Sequence, residues 1–390
     1  MIREIALASL LLAGLAVLTT QKLRAFQQQP VVPTRPASSH QVNPDGSITF
    51  RYKDGSAKKV SVSTDATFQP LPMTRGDDGV WTVTTPALPP SIYGYSFSVD
   101  GVLELDPRNL NVRHNLAAPV SEVTVPAEPP APWELTDIAH GVVARHVFTT
   151  RVAKNLPQNQ SAYFVYTPPG YDSKHSGGYP VLYLLHGFTD AEDGWTSVGR
   201  AHLILDSLID SGKAVPMIVV MPLGYGNFSF LQGGFANWDN ASAVDDNTTL
   251  FEQMLETEVM PAIERDYNTA KGRDNRAIAG LSMGGLESLT VGLNHTDQFA
   301  YIAAFSSAVQ HEGFDQRISQ LNAQKADLRL LWVACGVEDH LVDANRAFVT
   351  WARSKKLPIT AVETPGEHTW LVWRNNLLHV APLLFRRQQN

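Results

Sequence analysis

The fold of most of this chain is decided by one stretch, Arg276-Ala277-Ile278-Ala279-Gly280-Leu281-Ser282-Met283-Gly284-Gly285. Its apolar first half predicts a buried strand, and Leu286–Leu293 predicts a helix. Gly280-x-Ser282-x-Gly284 at the junction matches a nucleophile elbow, a tight turn that holds a serine in a strained backbone conformation. Both glycines are required because side chains at these positions would collide across the turn. The pattern predicts Ser282 as a nucleophile and the Met283 amide, at the helix N-terminus, as an oxyanion donor. A helix-entry turn that merely uses small residues is the alternative.

A serine hydroxyl needs a base to take its proton, and the base needs a third group to orient it. We predict His368 as the base because it lies on a loop after the predicted strand Thr360–Glu363. Of the other downstream histidines, His295 and His379 are expected at the surface of helices. His311 lacks the partner ligands that a metal site would need, and His340 adjoins the predicted acid.

The acid is expected in the loop after the apolar run Leu330–Ala334. Asp339 is the preferred candidate, with its neighbour Glu338 as a rival and Asp343 as a third choice. The carboxylate would fix the imidazole tautomer and stabilise the imidazolium that forms during acyl transfer.

A second oxyanion donor is expected where another predicted strand ends, at His186-Gly187-Phe188. We predict the Phe188 amide as this donor, with Gly187 allowing close approach of the substrate. Trp195 is predicted to form the floor of an acyl pocket, with a place in the core as the alternative. His186 is predicted to have a structural role.

From about residue 138 onward, short apolar runs alternate with amphipathic stretches. The runs are Val181–Leu185, Pro216–Met221, Ala277–Ala279 and Leu330–Ala334, and the amphipathic stretches are Leu203–Ser211, Leu250–Tyr267 and Leu286–Leu293. Strands that are apolar along their whole length are typical of a parallel sheet covered by helices on both faces. We therefore predict an α/β fold with a mostly parallel sheet for residues 138–387, here called the α/β part.

The residues ahead of the α/β part have a different pattern. Alternating segments separated by Asp-Gly and Pro-Pro turns predict at least five short strands within residues 42–125, here called the front module. This pattern is typical of a small all-β sandwich. The proline-rich residues 126–137 are predicted to be a stiff linker, and residues 26–41 a second linker.

Residues 1–25 combine an early arginine with a long apolar run, which indicates a signal peptide or, if uncleaved, a membrane anchor. We therefore expect a secreted or periplasmic protein. A net charge of −7 argues against a nucleic-acid partner. The single cysteine excludes an intramolecular disulfide, and we find no metal-binding or phosphate-binding motif, so no metal and no cofactor are expected.

Residues 138–387 resemble the esterase family that includes feruloyl esterases, acetylxylan esterases, S-formylglutathione hydrolases, enterochelin esterases and mycolyltransferases. The resemblance rests on Tyr179-Pro180 before Val181–Gly187, Ile218–Pro222, Glu258–Pro261, Ile278–Gly285, Phe299–Ile302 and Gly366–Trp370. It implies an α/β-hydrolase domain with the triad Ser282, Asp339 and His368. The feruloyl and acetylxylan esterase branch is the most similar.

Residues 42–125 are similar to the early-set, immunoglobulin-like β-sandwich found in front of glycogen-branching enzymes. The similar stretches are Pro72–Arg75, Gly79–Trp81, Pro89–Phe97, Val99–Gly101 and Asp106–Asn109. The resemblance implies a module that binds glycans in some proteins and is purely structural in others. Trp81, Tyr93 and Tyr95 are either a sugar platform or core residues.

Together these observations predict an exported serine carboxylesterase that cleaves feruloyl or acetyl esters of plant cell-wall polysaccharide through an acyl-enzyme. The alternatives are a siderophore esterase of the enterochelin type, an acyltransferase, and a non-catalytic glycan-binding protein. The expected partner is an ester substrate linked to polysaccharide, with glycan contact by the front module.

Overall fold

In the described residues ahead of the α/β part, ten short strands form two antiparallel sheets, all but the start of the first strand within the front module. The computed structural model describes residues 39–67 and 69–386. The strands are β1 His40–Val42, β2 Ile48–Lys53, β3 Val60–Thr64, β4 Leu71–Pro72, β5 Thr74–Arg75, β6 Val80–Thr84, β7 Ser91–Val99, β8 Val102–Glu104, β9 Val112–Arg113 and β10 Val120–Val125. One sheet has the order β1-β2-β6-β5, and the other has the order β4-β3-β7-β10-β9 with β8 beside β7.

The two sheets enclose one apolar core. Phe50 and Trp81 come from the first sheet, and Tyr95 and Phe97 come from the second. The rings of Phe50 and Tyr95 lie 4.8 Å apart between their centroids. Trp81, Tyr93 and Tyr95 are all buried, so they are core residues and not a sugar platform. Any glycan contact by the front module must therefore use other side chains.

An eight-stranded sheet forms the centre of the α/β part. Its strands are β11 Val142–Thr149, β12 Gln160–Thr167, β13 Val181–Leu185, β14 Ile218–Pro222, β15 Arg276–Leu281, β16 Tyr301–Phe305, β17 Leu330–Gly336 and β18 Ile359–Thr364. Their order is β11-β12-β14-β13-β15-β16-β17-β18. β12 pairs antiparallel with β11 and β14, and all other neighbours are parallel. The mostly parallel sheet predicted from the apolar runs is therefore observed.

Helices cover both faces of this sheet. In the described chain they are Gly194–Ser197, Ala201–Asp210, Ser229–Gln232, Ala241–Met254, Met260–Asp266, Ser282–Asn294, Phe314–Arg317, Val342–Ser354 and Trp370–Val380. A π-helical turn, Leu255–Val259, joins two of them, and short 3₁₀ turns occupy Pro157–Asn159, Gly234–Asp239, Arg273–Asn275 and Ala381–Leu383. Alternate residues of the central strands face opposite cores, as Ile278 does relative to Ala277 and Ala279.

Backbone contacts group the described residues from Ser39 onward into one compact unit. Residues 126–137 join the front module to the α/β part, and the Glu134 carboxylate accepts hydrogen bonds there from the Ala127 and Ala131 amides. The predicted leader, residues 1–25, lies outside the described residues. Within the described residues, no helix is both long enough and apolar enough to cross a bilayer.

Candidate active site

Ser282 stands in a strained turn directly after the central strand β15. Its φ is +50°, in the left-handed region that residues with a side chain rarely adopt. A Cβ added to Gly280 would overlap the Gly284 carbonyl, and one added to Gly284 would lie 2.5 Å from the His186 carbonyl oxygen. The turn is therefore possible only with glycine at both positions. The helix begins at Ser282 itself, four residues before the predicted start.

A continuous hydrogen-bond chain runs from Ser282 to a buried carboxylate. His368 Nε2 lies 3.0 Å from Ser282 Oγ. His368 Nδ1 lies 2.9 Å and 3.1 Å from the two carboxylate oxygens of Asp339. The structure thus brings together the three side chains that the sequence assigned to nucleophile, base and acid.

The environment of Asp339 favours its charged form. Burial acts to raise the pKa of this carboxyl, but the hydrogen bond and positive charge from His368 and the Leu341 amide outweigh it and lower the pKa below its ordinary value. An ionised Asp339 accepts a hydrogen bond from the Nδ1–H group, which keeps the proton on Nδ1 and leaves the Nε2 lone pair directed at Ser282.

The rival acids are used elsewhere. Glu338 Oε2 accepts a hydrogen bond from the Gly366 amide, and Asp343 forms an exposed ion pair with Arg346. His340 lies closer to the triad than the sequence suggested, because its ring centroid is 4.8 Å from that of His368 and its Nδ1 is 3.5 Å from Asp339 Oδ1.

The loops that carry the acid and the base are packed backbone to backbone. A Cβ on Gly336 would overlap the Gly366 carbonyl, which leaves no room for a side chain. The Glu338 amide donates to Gly366 O at 3.3 Å, and the Val337 amide donates to Thr364 O at 2.9 Å. These contacts fix Asp339 relative to His368.

Residues 186–190, here called the oxyanion loop, pass beside Ser282. A Cβ on Gly187 would lie 3.3 Å from Ser282 Cβ. His186 Nε2 accepts the Gly224 N–H at 2.9 Å, so the ring proton is on Nδ1, which donates to Gly187 O at 2.8 Å. Burial lowers the pKa of His186 to about 4, which keeps this ring neutral. The predicted structural role of His186 is therefore to hold one peptide group.

That peptide group presents the predicted Phe188 donor. The Gly187–Phe188 peptide is trans, so the Phe188 N–H points away from the anchored Gly187 carbonyl. The Met283 N–H lies in the first turn of its helix, where backbone amides have no acceptor within the helix. The Gly284 amide is already used, because it donates to His186 O at 3.0 Å.

A cavity of about 880 Å³ opens beside Ser282 and His368. One wall is aromatic and consists of Phe188, Phe235 and Trp238, of which Phe235 is 75% exposed. The Phe188 ring packs edge to face against the other two, with centroid distances of 5.3 Å and 5.6 Å.

Another wall of this cavity is polar and comes from the front module, through Asp65, Arg113 and Asn115. Arg113 Nη1 lies 3.5 Å from Asp65 Oδ2. No motif in the sequence indicated these residues, because they are distant in sequence from the triad and belong to the front module rather than to the α/β part.

Trp195 does not occupy its predicted position in the pocket. Its side chain is fully buried and its indole N–H donates to Leu185 O at 2.9 Å. It packs against Trp370 and Phe305 with centroid distances of 5.1 Å and 6.1 Å. Trp195 belongs to the buried cluster that includes Leu184 and Leu281, so the structure supports the alternative, a place in the core. Trp370 and Trp373 line the cavity instead.

Within the described residues, two groups of ionisable side chains bring possible ligand atoms close enough to share a metal ion. One is Asp339, His340 and His368, in which the nitrogens of His368 are already hydrogen-bonded to Asp339 and Ser282 of the triad. In the other, both ring nitrogens of His295 face carboxylates, with Nε2 2.6 Å from Glu252 and Nδ1 3.1 Å from Glu256. The hydrogen bond to Glu252 raises the pKa of His295, so this second arrangement favours the charged imidazole between two carboxylates.

Comparison with known proteins agrees with this geometry. A family model described as putative esterase matches residues 155–383. An endo-1,4-beta-xylanase/feruloyl esterase of Xylanibacter ruminicola is 30% identical over 351 residues, which are 88% of this chain and 46% of the relative. An acetyl esterase of Caldicellulosiruptor saccharolyticus is 22% identical over 50% of this chain and 78% of its own length. The chain thus spans about half the length of the first of these relatives.

Solved structures share the fold. A ferulic acid esterase from Anaeromyces mucronatus aligns with a TM-score of 0.55 and 23% identity, over 65% of this chain and 93% of its own. An enterobactin esterase from Shigella flexneri aligns with a TM-score of 0.64 and 20% identity, over 86% of this chain and 92% of its own. With a serine at a nucleophile elbow of an α/β-hydrolase-type sheet and a family match across most of that sheet, the chain belongs to the putative esterase family.

Proposed function

We propose that the protein is a serine carboxylesterase with Ser282 as nucleophile, His368 as base and Asp339 as the orienting acid. The observation that carries this proposal is the hydrogen-bond chain from Ser282 Oγ through both nitrogens of His368 to Asp339. Relatives that are named feruloyl esterase and acetyl esterase support it.

The reaction follows from these contacts. His368 Nε2 takes the proton as Ser282 Oγ attacks the ester carbonyl carbon, and the Phe188 and Met283 amides stabilise the oxyanion. The tetrahedral intermediate then collapses, the bond to the alcohol oxygen breaks, and His368 gives its proton to that oxygen. Water attacks the acyl-enzyme with His368 again as base, which releases the acid and restores Ser282.

The acyl group that this reaction removes is feruloyl or acetyl, carried by plant cell-wall polysaccharide. The aromatic wall of Phe188, Phe235 and Trp238 is suited to a flat aromatic acyl group because edge-to-face contacts favour such rings. The polar wall formed by the front module offers charged groups to the hydroxyls of the sugar that carries the ester. Glycan contact would therefore occur at Arg113 and Asp65 rather than at the buried aromatics.

A polymeric substrate also fits the export signal proposed for residues 1–25. The front module is proposed to be an early-set, immunoglobulin-like sandwich related to that of glycogen-branching enzymes, which is consistent with its two antiparallel sheets. Amino-terminal sequencing of protein recovered from the cell exterior would test export, and an intact residue 1 would contradict cleavage of the leader.

A siderophore esterase is the second candidate. The Shigella flexneri enterobactin esterase structure aligns with 86% of this chain, an extent that must include part of the front module, whereas the Anaeromyces mucronatus structure aligns with 65%. This shared extent is the observation behind the alternative, at 20% identity, but the Xylanibacter ruminicola feruloyl esterase relative matches 88% of this chain and so also includes part of the front module.

A panel of methyl ferulate, acetylated xylan, p-nitrophenyl acetate and a catecholate trilactone distinguishes these substrates. We expect turnover of methyl ferulate or acetylated xylan by the wild type, and none by Ser282→Ala. Preferred turnover of the trilactone would identify a siderophore esterase, and transfer to a sugar in preference to water would identify an acyltransferase. Hydrolysis that persists in Ser282→Ala, or xylan binding without hydrolysis by the wild type, would overturn the proposed mechanism.

A further inference from the structure

The oxyanion loop is anchored on both sides of Phe188 by residues of the α/β part. His186 Nδ1 donates to Gly187 O at 2.8 Å. On the other side, the Thr189 amide donates to the Tyr225 hydroxyl at 2.7 Å. The two peptide groups that flank Phe188 are therefore each held by a side chain, one by His186 of the loop itself and the other by Tyr225.

The front module holds the same loop from the opposite direction. The Leu116 amide donates to Thr189 O at 2.7 Å. Asn115 Nδ2 donates to Thr189 Oγ1 at 2.9 Å and to Asp190 Oδ1 at 3.1 Å. Thr189 has a φ of +71°, a conformation that a β-branched residue keeps only when its surroundings impose it.

The hydrogen-bonding capacity of Asn115 is fully used within the protein. Its Oδ1 accepts the amides of Ala117 and Ala118 at 3.0 Å each, and its two Nδ2 hydrogens go to Thr189 and Asp190. A side-chain amide offers two donors and two acceptor lone pairs, so none is left for a substrate. Asn115 lines the cavity, yet its contacts are directed at the oxyanion loop.

We propose that Asn115 is a positioning residue, through which the front module sets the geometry of the Phe188 oxyanion donor. The proposal rests on the proposed ester hydrolysis at Ser282 and extends it. The front module thereby contributes to the chemical step itself, in addition to any contact with the sugar. Small shifts of an oxyanion donor cost rate because its hydrogen bond is strongest in the transition state.

The test uses the full chain and p-nitrophenyl acetate, a substrate without a sugar. Asn115→Ala removes both contacts to the loop, and we expect kcat to fall about tenfold while KM stays within about threefold. His114→Ala is the matched control, because its exposed imidazole lies 3.3 Å from Asp193 and, within the described residues, forms no hydrogen bond or ion pair with the oxyanion loop. This control should keep the wild-type kcat.

Asn115→Asp supplies a readout that a general loss of stability would not move. The substitution keeps the side-chain shape but places the new carboxyl group at position 115 beside that of Asp190. The two carboxyl groups share one proton at low pH and repel each other when both are ionised. Arg113 and Asp193 are the other charged groups near Asp190, and both are unchanged in every variant. We expect the kcat of Asn115→Asp relative to Asn115→Ala to rise as the pH falls from 8 to 6.

The outcomes separate the two proposals. A wild-type kcat in Asn115→Ala, or in Asn115→Asp at pH 8 if the alanine variant does not fold, overturns the positioning role and leaves ester hydrolysis intact. A ratio of the two variants that does not change with pH also overturns it. Activity that survives in Ser282→Ala would instead overturn the proposed function.

Discussion

At the scale of single residues, the proposed catalytic groups lie within four positions of the end of a parallel strand. Ser282 directly follows β15, Asp339 lies three residues after β17, and His368 lies four residues after β18. Chain order and loop placement therefore sufficed to select three side chains that lie within hydrogen-bonding distance of one another in the structure. The direction of a loop side chain cannot be read from sequence, which is why the contact of His340 with His368 was not predicted and Trp195 was placed at the cavity.

The hydrogen bond between Asp339 and His368 leads to a first prediction. Asn at position 339 keeps the shape but would stabilise the wrong imidazole tautomer, with the proton on Nε2. We expect Asp339→Asn to lower kcat about 10³- to 10⁴-fold in assays with p-nitrophenyl acetate.

Glu338→Gln is the control, because its amide oxygen can still accept the Gly366 N–H. It should stay within about twofold of the wild type. If the two variants lost activity equally, the distinction between the two neighbouring acids would be mistaken.

At the scale of elements, the boundaries of polar segments escaped prediction. The helix predicted at Leu250 begins nine residues earlier, at Ala241, because its first turns are polar and carry no apolar period. β11 alternates between exposed and half-buried residues and was not predicted as a strand. β13, β14, β15 and β17 were predicted because they are buried on both faces and read as apolar runs, whereas the equally buried β16 was not predicted as a strand.

The contact between His295 and two glutamates predicts a pH dependence of stability. The hydrogen bond to Glu252 raises the pKa of His295, and the charges of Glu256 and Glu252 add to this against the effect of burial. The pKa of His295 in the folded protein is therefore above its unfolded value, which is near 6.5. The contact then contributes its full stabilisation below the unfolded pKa and loses it as the pH rises through the folded pKa.

This dependence can be measured as the difference in Tm between the wild type and His295→Ala. We expect the difference to be largest near pH 5.5 and to shrink steadily toward pH 9. A difference that is constant, or that grows with pH, would show that His295 is not held as a histidinium between Glu252 and Glu256.

At the scale of the whole molecule, the front module and the α/β part meet through buried polar groups. Arg374, in the helix Trp370–Val380, donates to Val198 O at 2.9 Å, to Ser91 Oγ at 2.7 Å and to Ile92 O at 3.1 Å. Ser91 and Arg374 are 283 positions apart, and no local pattern predicts a contact at that separation. For the same reason the role of Asn115 could not be inferred from sequence.

This interface supplies a further prediction. Burial lowers the pKa of Arg374 to about 10, so the guanidinium stays charged at neutral pH and faces Asp65 and Glu122. Arg374→Met would remove this cation from beside both carboxyls, and it would remove the hydrogen bonds that Arg374 donates to Val198, Ser91 and Ile92. We expect it to lower the free energy of unfolding by about 3–5 kcal/mol in urea denaturation.

Arg353→Met is the control, because Arg353 is exposed on the helix Val342–Ser354. It should change the free energy of unfolding by no more than about 0.5 kcal/mol. Equal effects of the two substitutions would mean that Arg374 does not hold the interface.

The backbone contact between Gly336 and Gly366 has a consequence for redesign of this esterase. The loops after β17 and β18 are hydrogen-bonded to each other through their backbones, and Gly336 lies so close to Gly366 that a Cβ has no space. An insertion in either loop would therefore move the acid away from the base. Length variation is open instead in residues 233–240, which carry the exposed Phe235, and in residues 310–323, because neither segment includes the groups that hold the oxyanion loop or Ser282. New acyl specificities should therefore be engineered by grafting those two segments onto an unchanged catalytic frame.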